Sequence, residues 1–415
     1  MGLINKILGG NKLSKMFNNT KNIISIDGSL GNVLLAGNSR TGKDCIIRNY
    51  AVDMLNNGSG CIIIRSTYDG FSAYPAVTSQ RSLIHGIDTG DGAFTEQLDP
   101  FGDLNESQMV ELMFNIFNKY IEFDTSLKMK FKQYVSKMIK LTKAYGKTLQ
   151  LNELSEYTIE KLEDMNARSR LSDSEKNQNE RFFDSVRQDI SVLESYFYDF
   201  ANNNVGFVLS GNKTIEQIIS SGKIVEITLD FSTRKEESEL LLSLLTDKIY
   251  KLNYAAIGNN VTVIVDEVPN DSLLKCGFDK LMMTPDRCHM VYSIMDIASL
   301  AEKTNVFMDK ADSLFFFQQQ SNKNQEFCSE FFGTYEKQKV SQTQTSGTSY
   351  GKSRSWGWDS DTNYGRNSSR SSSSSTTYTT EKERIYLPDV FKNLPEKQCI
   401  YFFRSNRTHN YLNLG

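Results

Sequence analysis

Short apolar runs alternate along this chain with longer stretches of helical period. Asn32–Ala36 holds the continuous run Val33-Leu34-Leu35, stops at Gly37, and predicts a buried strand. A glycine-containing loop follows, then a helix from about Lys43 to Leu55, ended by Asn56-Asn57-Gly58. Cys61–Ile64 predicts a second buried strand and Leu83–Ile87 a third. Strand, loop, helix and strand in that order make the βαβ unit of a parallel sheet.

The texture changes after Asp99-Pro100-Phe101-Gly102. From about Asn105 to Asn203 the β-branched runs disappear and charged, helix-period sequence takes over. Val110, Met113, Phe114, Phe117 and Ile121 fall on one helical face, and Val135, Met138, Ile139 and Thr142 on another. Arg181–Phe200 supplies a third helix, so the block predicts an all-helical domain inserted into the sheet's connectivity. Strand signals resume at Lys223–Leu229, followed by a helix over Glu236–Leu252. Val261–Val265, Met290–Ile294 and Ser313–Phe317 are three further strands. Lys337–Thr380 is rich in Ser, Thr, Gly and Tyr and runs into Ser371–Ser375; it offers nothing for a core and predicts an exposed loop. Ile385–Leu387 and a last strand, Gln398–Phe403, restore order.

Composition narrows the class. With 415 residues, 39% hydrophobic and 23% charged, the chain can bury one large core and a smaller unit. A net charge of -3 excludes a basic footprint over the whole surface, so any nucleic-acid contact is local. The six cysteines lack paired metal-ligand spacing and read as reduced thiols of a cytoplasmic protein. No run approaches the roughly 18 apolar residues of a membrane span. At the start, Leu3, Ile4, Ile7, Leu8, Leu13, Met16 and Phe17 alternate with Lys6, Lys12 and Lys15. That arm either rests on an anionic membrane or packs on its own domain, and Gly9-Gly10 interrupts its period.

Gly37-Asn38-Ser39-Arg40-Thr41-Gly42-Lys43 matches G-x-x-x-x-G-K between an expected strand and an expected helix. Such a loop turns its backbone N–H groups inward around phosphate oxygens, the helix adds its own N-terminal donors, and Lys43 reaches the β- and γ-phosphates. Where the pattern has a Mg²⁺-binding hydroxyl, this chain has Asp44. A carboxylate binds Mg²⁺ directly or through water, but it also sets negative charge beside the phosphates. Val261–Val265 then delivers Asp266 and Glu267 at a strand end. In a phosphate-loop protein Asp266 would hold the Mg²⁺ shell and Glu267 would polarise the attacking water.

In this order the residues resemble the HerA–FtsK superfamily of motor ATPases, and within it the TraG-like type IV coupling proteins of conjugation. Gly37–Lys43 is similar to that family's phosphate loop, and many members also lack the following Ser or Thr. Asp266-Glu267-Val268-Pro269-Asn270 resembles its Asp-Glu-Phe-x-Asn motif, and Asp99-Pro100-Phe101 the segment before its inserted helical domain. Thr284-Pro285-Asp286-Arg287 sits where the family carries an arginine finger. Phe315–Phe317, Phe331–Thr334, Ile385–Pro388 and Leu394-Pro395 resemble the segments around its Ser/Thr-rich stretch. The family often ends the strand after the arginine in Gln-Ser; here Ser293-Ile294-Met295-Asp296 carries no glutamine. The transmembrane helices of many coupling proteins have no counterpart, which implies a soluble variant recruited to a membrane complex.

The resemblance implies an α/β, RecA-like P-loop NTPase with a mostly parallel central sheet and an inserted all-helical domain. It divides the chain into an N-terminal arm (1–21), a nucleotide-binding domain in three parts (22–102, 205–336, 385–415), a helical insertion (103–204) and an exposed loop (337–384). It also implies ATP and Mg²⁺, a homo-hexamer in which Arg287 acts in trans, and DNA as cargo, with relaxase or secretion-system partners. The helical insertion would select them. Lys303-Thr304-Asn305, Lys310 and the loop residues Lys352, Arg354, Arg366 and Arg370, with Trp356, Trp358 and Tyr364 for stacking, are candidates to touch DNA. Two other classes stay open: a protein-translocating or assembly ATPase of a secretion apparatus, and a nucleotide-gated adaptor with weak hydrolysis.

Overall fold

The computed structural model describes residues 30–57, 59–66, 84–88, 97–102, 104–118, 120–220, 224–254, 261–282, 288–354 and 364–414. The N-terminal arm, Thr284–Arg287, Trp356 and Trp358 lie outside them. Two compact units result, one of Met1–Ser321 with Leu394–Gly415 and one of Asn322–Asn393.

The first unit is built on a nine-stranded sheet. In chain order its strands are β1 (Val33–Ala36), β2 (Gly60–Arg65), β3 (Ile84–Asp88), β4 (Ile224–Thr228), β5 (Val261–Asp266), β6 (His289–Ile294) and β7 (Ser313–Phe316). Two strands of the second unit, β8 (Thr334–Arg354) and β9 (Tyr364–Arg384), intervene before β10 (Gln398–Phe403) and β11 (Thr408–Asn413). The spatial order is β11-β10-β7-β1-β6-β5-β2-β4-β3. From β7 to β3 every neighbouring pair is parallel; β10 runs antiparallel to β7, and β11 to β10. β1, β2, β4 and β5 are buried along their whole length, which is why they read as mainly apolar runs rather than alternating ones, interrupted inside only by Thr262 and by Glu226, which pairs with Arg65.

Sequence placed the last strand at Gln398–Phe403, but β11 follows it. Of β11 only Leu412 is buried, so an edge strand with one inward residue leaves no apolar run to read.

Helix α1 (Lys43–Asn57) lays Ile46, Ile47, Tyr50 and Ala51 on the sheet against Val33, Leu35, Ile63, Ile264 and Val291. Between β3 and β4 come α2 (Glu106–Phe117), α3 (Thr125–Ala144), α4 (Ile159–Arg168), α5 (Asp173–Ala201), α6 (Asn204–Val208) and α7 (Ile215–Ser220). Each of the first four starts at a side-chain cap: Asn105, Asp124, Thr158 and Ser172, with capping boxes at Asn105–Gln108 and Ser172–Glu175. The apolar faces read from the sequence are buried there, and Phe114, Phe117, Phe131, Phe197 and Phe200 form one aromatic cluster. Entry and exit of the block meet. Leu98 N–H donates to Val208 O at 2.6 Å, Asp99 N–H to Lys213 O at 2.9 Å and Gly211 N–H to Leu98 O at 2.9 Å. A cavity of about 310 Å³ lies at this neck, floored by Leu98, Leu112, Leu241 and Leu245 and edged by Glu111 and Lys248.

The sheet is then rejoined by α8 (Lys235–Tyr254), α9 (Asn270–Lys275), α10 (Phe278–Met282) and α11 (Thr304–Lys310). The second unit holds α12 (Asn322–Phe332), the β8–β9 hairpin and α13 (Pro388–Lys392), tied by Phe332 packed on Tyr386 and Phe391. The Ser/Thr-rich segment is therefore a ribbon of two 21-residue strands, not the loop expected from composition. It is exposed, but an antiparallel register from Thr334↔Arg384 to Arg354↔Tyr364 pairs the inward-facing half of its backbone groups and leaves the outward half to water.

Candidate nucleotide site

The sheet order brings the sequence motifs to one edge. β1 ends in Gly37, β5 ends in Asp266-Glu267, and β6 lies between them. Gly37 N–H donates to Ile294 O of β6 at 3.0 Å, Glu267 N–H to Ser293 O at 3.0 Å, and Asn38 N–H to Gln318 O beyond β7 at 3.0 Å. The loop is thus seated on the ends of both strands that flank β1. Arg40 at φ 62° and Gly42 at φ 109° carry its reversal.

Lys43 is buried and makes three contacts. Its ammonium donates to Gly37 O at 2.5 Å and Asn38 O at 2.6 Å, and pairs with Glu267 Oε1 at 2.9 Å. The Ser39 hydroxyl donates to the other carboxylate oxygen, Glu267 Oε2, at 2.9 Å. Loop and acidic strand are therefore joined through Glu267, whose backbone is in the left-handed region at φ 52°. Ser66, just past β2, fixes that backbone from behind by donating its hydroxyl to Glu267 O at 2.8 Å. The side-chain nitrogen of Asn38 is buried in the loop with no hydrogen-bond partner among the described residues.

Asp266 is buried at the strand end, opposite Arg65 of β2 and Ser293 of β6 in the register. Burial, and then repulsion from Glu267, push its carboxyl above the usual carboxylate range; the nearby Arg65 and Lys43 charges pull the other way. Arg65 is committed elsewhere, to a buried ion pair with Glu226 at 2.8 Å. Burial raises the Glu226 carboxyl as well, against the pull of Arg65. Asp44 stands exposed in the first turn of α1, where a negative charge suits the helix dipole.

Other motif residues take structural places. Asn270 ties the acidic strand to the exit of β6, donating to Asp296 O at 2.6 Å and Ser299 Oγ at 2.5 Å. In the glutamine-free stretch at the end of β6, Ser293 is buried and Met295 exposed. Lys303 pairs with Asp279 at 2.9 Å. Several contributors carried no sequence signal. Lys397, from the closing segment, donates its N–H to Thr41 O at 2.8 Å, and Gly42 packs so closely on it that a Cβ would stand 2.8 Å from Lys397 Cα. Gln319 donates its side-chain amide to Ala36 O at 3.0 Å, and Ser66 and Arg65 are equally silent. Only contacts over hundreds of residues reveal them.

No family model and no curated protein matches the chain. Solved structures do. An unbound form of the bacterial conjugative coupling protein TrwB superimposes with a TM-score of 0.55 at 13% identity, over 98% of this chain and 91% of that one. The chain has the coupling-protein fold. TrwB in complex with ADP and Mg²⁺ gives 0.53 at 14% identity, over 98% and 91% of the two chains. TrwB with a non-hydrolysable ATP analogue gives 0.54 at 14%, over 98% and 92%. The coupling-protein fold is α/β and RecA-like, with the mostly parallel sheet and helical block described above.

Proposed function

We propose that the chain is an ATP-hydrolysing motor of the coupling-protein kind, moving DNA, alone or with a bound relaxase, through a hexameric ring during conjugative transfer. The observation that carries this reading is the convergence of Lys43, Ser39 and Glu267 at the edge of a coupling-protein sheet. The loop N–H groups of Gly37–Lys43 would take the phosphates of ATP. Lys43 would exchange the Gly37, Asn38 and Glu267 oxygens for phosphate oxygens, and Asn38 offers a further donor. Asp266 and Asp44 are oxygen-only donors that suit Mg²⁺, which when bound neutralises phosphate charge and holds Asp266 ionised. Glu267, released from Lys43, would accept a proton from the attacking water. Arg287 would enter from the neighbouring protomer. Among the described residues no helix is long and apolar enough to cross a membrane, and the basic arm would hold the ring at the inner membrane face.

The turnover of the purified chain with and without DNA tests the reading. DNA is expected to raise the rate several-fold, and Lys43→Ala to abolish tight ATP binding. Normal ATP binding by Lys43→Ala overturns the site, and a rate indifferent to every form of DNA moves the assignment to a protein-handling ATPase. A nucleotide-gated adaptor is the second reading, favoured by Asp44 and by the lack of a glutamine in Ser293–Asp296. It expects tight ATP binding and negligible turnover with Glu267 intact.

A further inference from the structure

The β8–β9 ribbon is two-faced in a way that composition conceals. Directly opposed residues of an antiparallel pair share a face, and neighbours along a strand alternate. In this register Val340 faces with Tyr378, Thr348 with Arg370, Tyr350 with Ser368, and Lys352 with Arg366. All of these lie on one face. Tyr350 and Tyr378 are 83% and 70% exposed, so their rings are held in solvent. Lys352, Arg366 and Arg370 are exposed too, and no acid within the described strands accompanies them beyond Lys339 and before Glu381.

The other face is different. Near the base, Lys337 pairs with Glu383 at 2.9 Å and Tyr335 donates to the same carboxylate. Beyond Lys339, which shares that face, it presents only hydroxyls, Asn367 and glycines, with Ser349 bonded to Ser369 at 2.9 Å. From there to the ends of the described strands, charge and aromatic surface are segregated to the first face. Lys352 directly opposite Arg366 is a like-charge pair, which weakens a free hairpin, and two strands without a core are marginal on their own. An anion lying across the pair removes the repulsion and rigidifies the ribbon.

We propose that this face, through Lys352, Arg366, Arg370 and Tyr350, binds single-stranded nucleic acid, the cations on phosphates and the ring under a base. The inference rests on the reading of the chain as a DNA-handling ATPase and adds to it the surface that grips the strand. Closely spaced cations with no acid beside them among the described residues of this stretch match a polyanion, and interleaved exposed aromatics match unpaired bases better than a duplex whose bases are stacked away.

The test is fluorescence anisotropy of a labelled oligo-dT with the full chain across a salt series. Replacing Lys352, Arg366 and Arg370 together by Gln, a residue this face already carries, is expected to weaken binding at least tenfold. The slope of log affinity on log salt should fall by about two, as three lost contacts to a single strand require. Tyr350→Ala should weaken binding about tenfold with the slope unchanged. Ser349→Gln with Ser371→Gln, on the opposite face, should change nothing. Exchange of Lys352 to Arg with Arg366 and Arg370 to Lys should preserve binding, and ATP affinity should stay at the parent value throughout. If the parent binds oligo-dT and the triple Gln variant binds it equally, the inference fails while the DNA-motor reading stands. If the parent ignores single and duplex DNA yet binds phosphatidylglycerol vesicles through this face, both fail and the ribbon is a membrane contact.

Discussion

One substitution separates the observed contacts of Glu267 from its proposed role. Its carboxylate pairs with Lys43 and accepts from Ser39, so it restrains the loop, and in the proposed motor it would also act as the base. Glu267→Gln keeps the shape and one acceptor but removes the charge. ATP affinity, read by titration calorimetry, is expected to hold or tighten while turnover falls at least ~100-fold. Parent-like turnover would move the base to another acid. Asp266 poses the opposite balance, since burial and its neighbour's charge make its ionised form costly. Asp266→Asn should therefore raise Tm by about 2 °C or more while Mg²⁺-dependent turnover is lost. The sign with pH follows from the raised carboxyl. Its folded form holds a proton more tightly than its unfolded form, so the parent loses stability as pH rises through the folded value. The Tm advantage of Asn is expected to be larger at pH 8 than at pH 5; a constant difference would mean that Asp266 is not strained by its charge.

At the scale of elements, stability is local and the site is shared. Ser172 opens the 29-residue helix α5 in a capping box with Glu175, accepting from the Glu175 N–H while the Glu175 carboxylate accepts from the Ser172 N–H. The Ser172 hydroxyl, which donates to Glu175 Oε2 at 2.7 Å, and then the Ser172 N–H hold the Glu175 carboxyl below its usual range. Ser172→Ala should cost about 1 kcal/mol and lower Tm by roughly 2–4 °C with ATP affinity unchanged. Melting curves and an ATP titration on the same sample check it. A loss of ATP affinity would show that the helical block and the nucleotide loop are coupled. The loop has no such independence: β6, β7 and the segment around Lys397 all contribute backbone bonds to it.

For the whole molecule, the proposed ring makes activity a property of pairs of subunits. Arg287→Ala should bind ATP normally and lose turnover, as should Glu267→Gln. Mixing the two variants should restore part of the activity, because some interfaces then pair an intact Glu267 with a neighbour's Arg287. The parent's specific activity should rise with protein concentration for the same reason. Turnover independent of concentration, with no rescue in mixtures, would place the arginine outside the chemistry.

Sequence alone determined the elements whose burial is continuous. β1, β2, β4 and β5 are buried throughout, so each reads as a mainly apolar run, and α2 and α3 show their period because one stripe of each is buried. It also marked the glycine-containing stretch Gly37–Lys43 and the pair Asp266-Glu267, which the structure sets at the ends of β1 and β5. The tertiary structure decided what depends on neighbours distant in the chain. It inserted β6 between β1 and β5, brought Ser39 to Glu267 and Lys397 to Thr41, and made an edge strand of Thr408–Asn413. It also turned the Ser/Thr-rich segment into a ribbon with one basic face, because which residues share a face depends on the pairing register, and a register belongs to two strands at once.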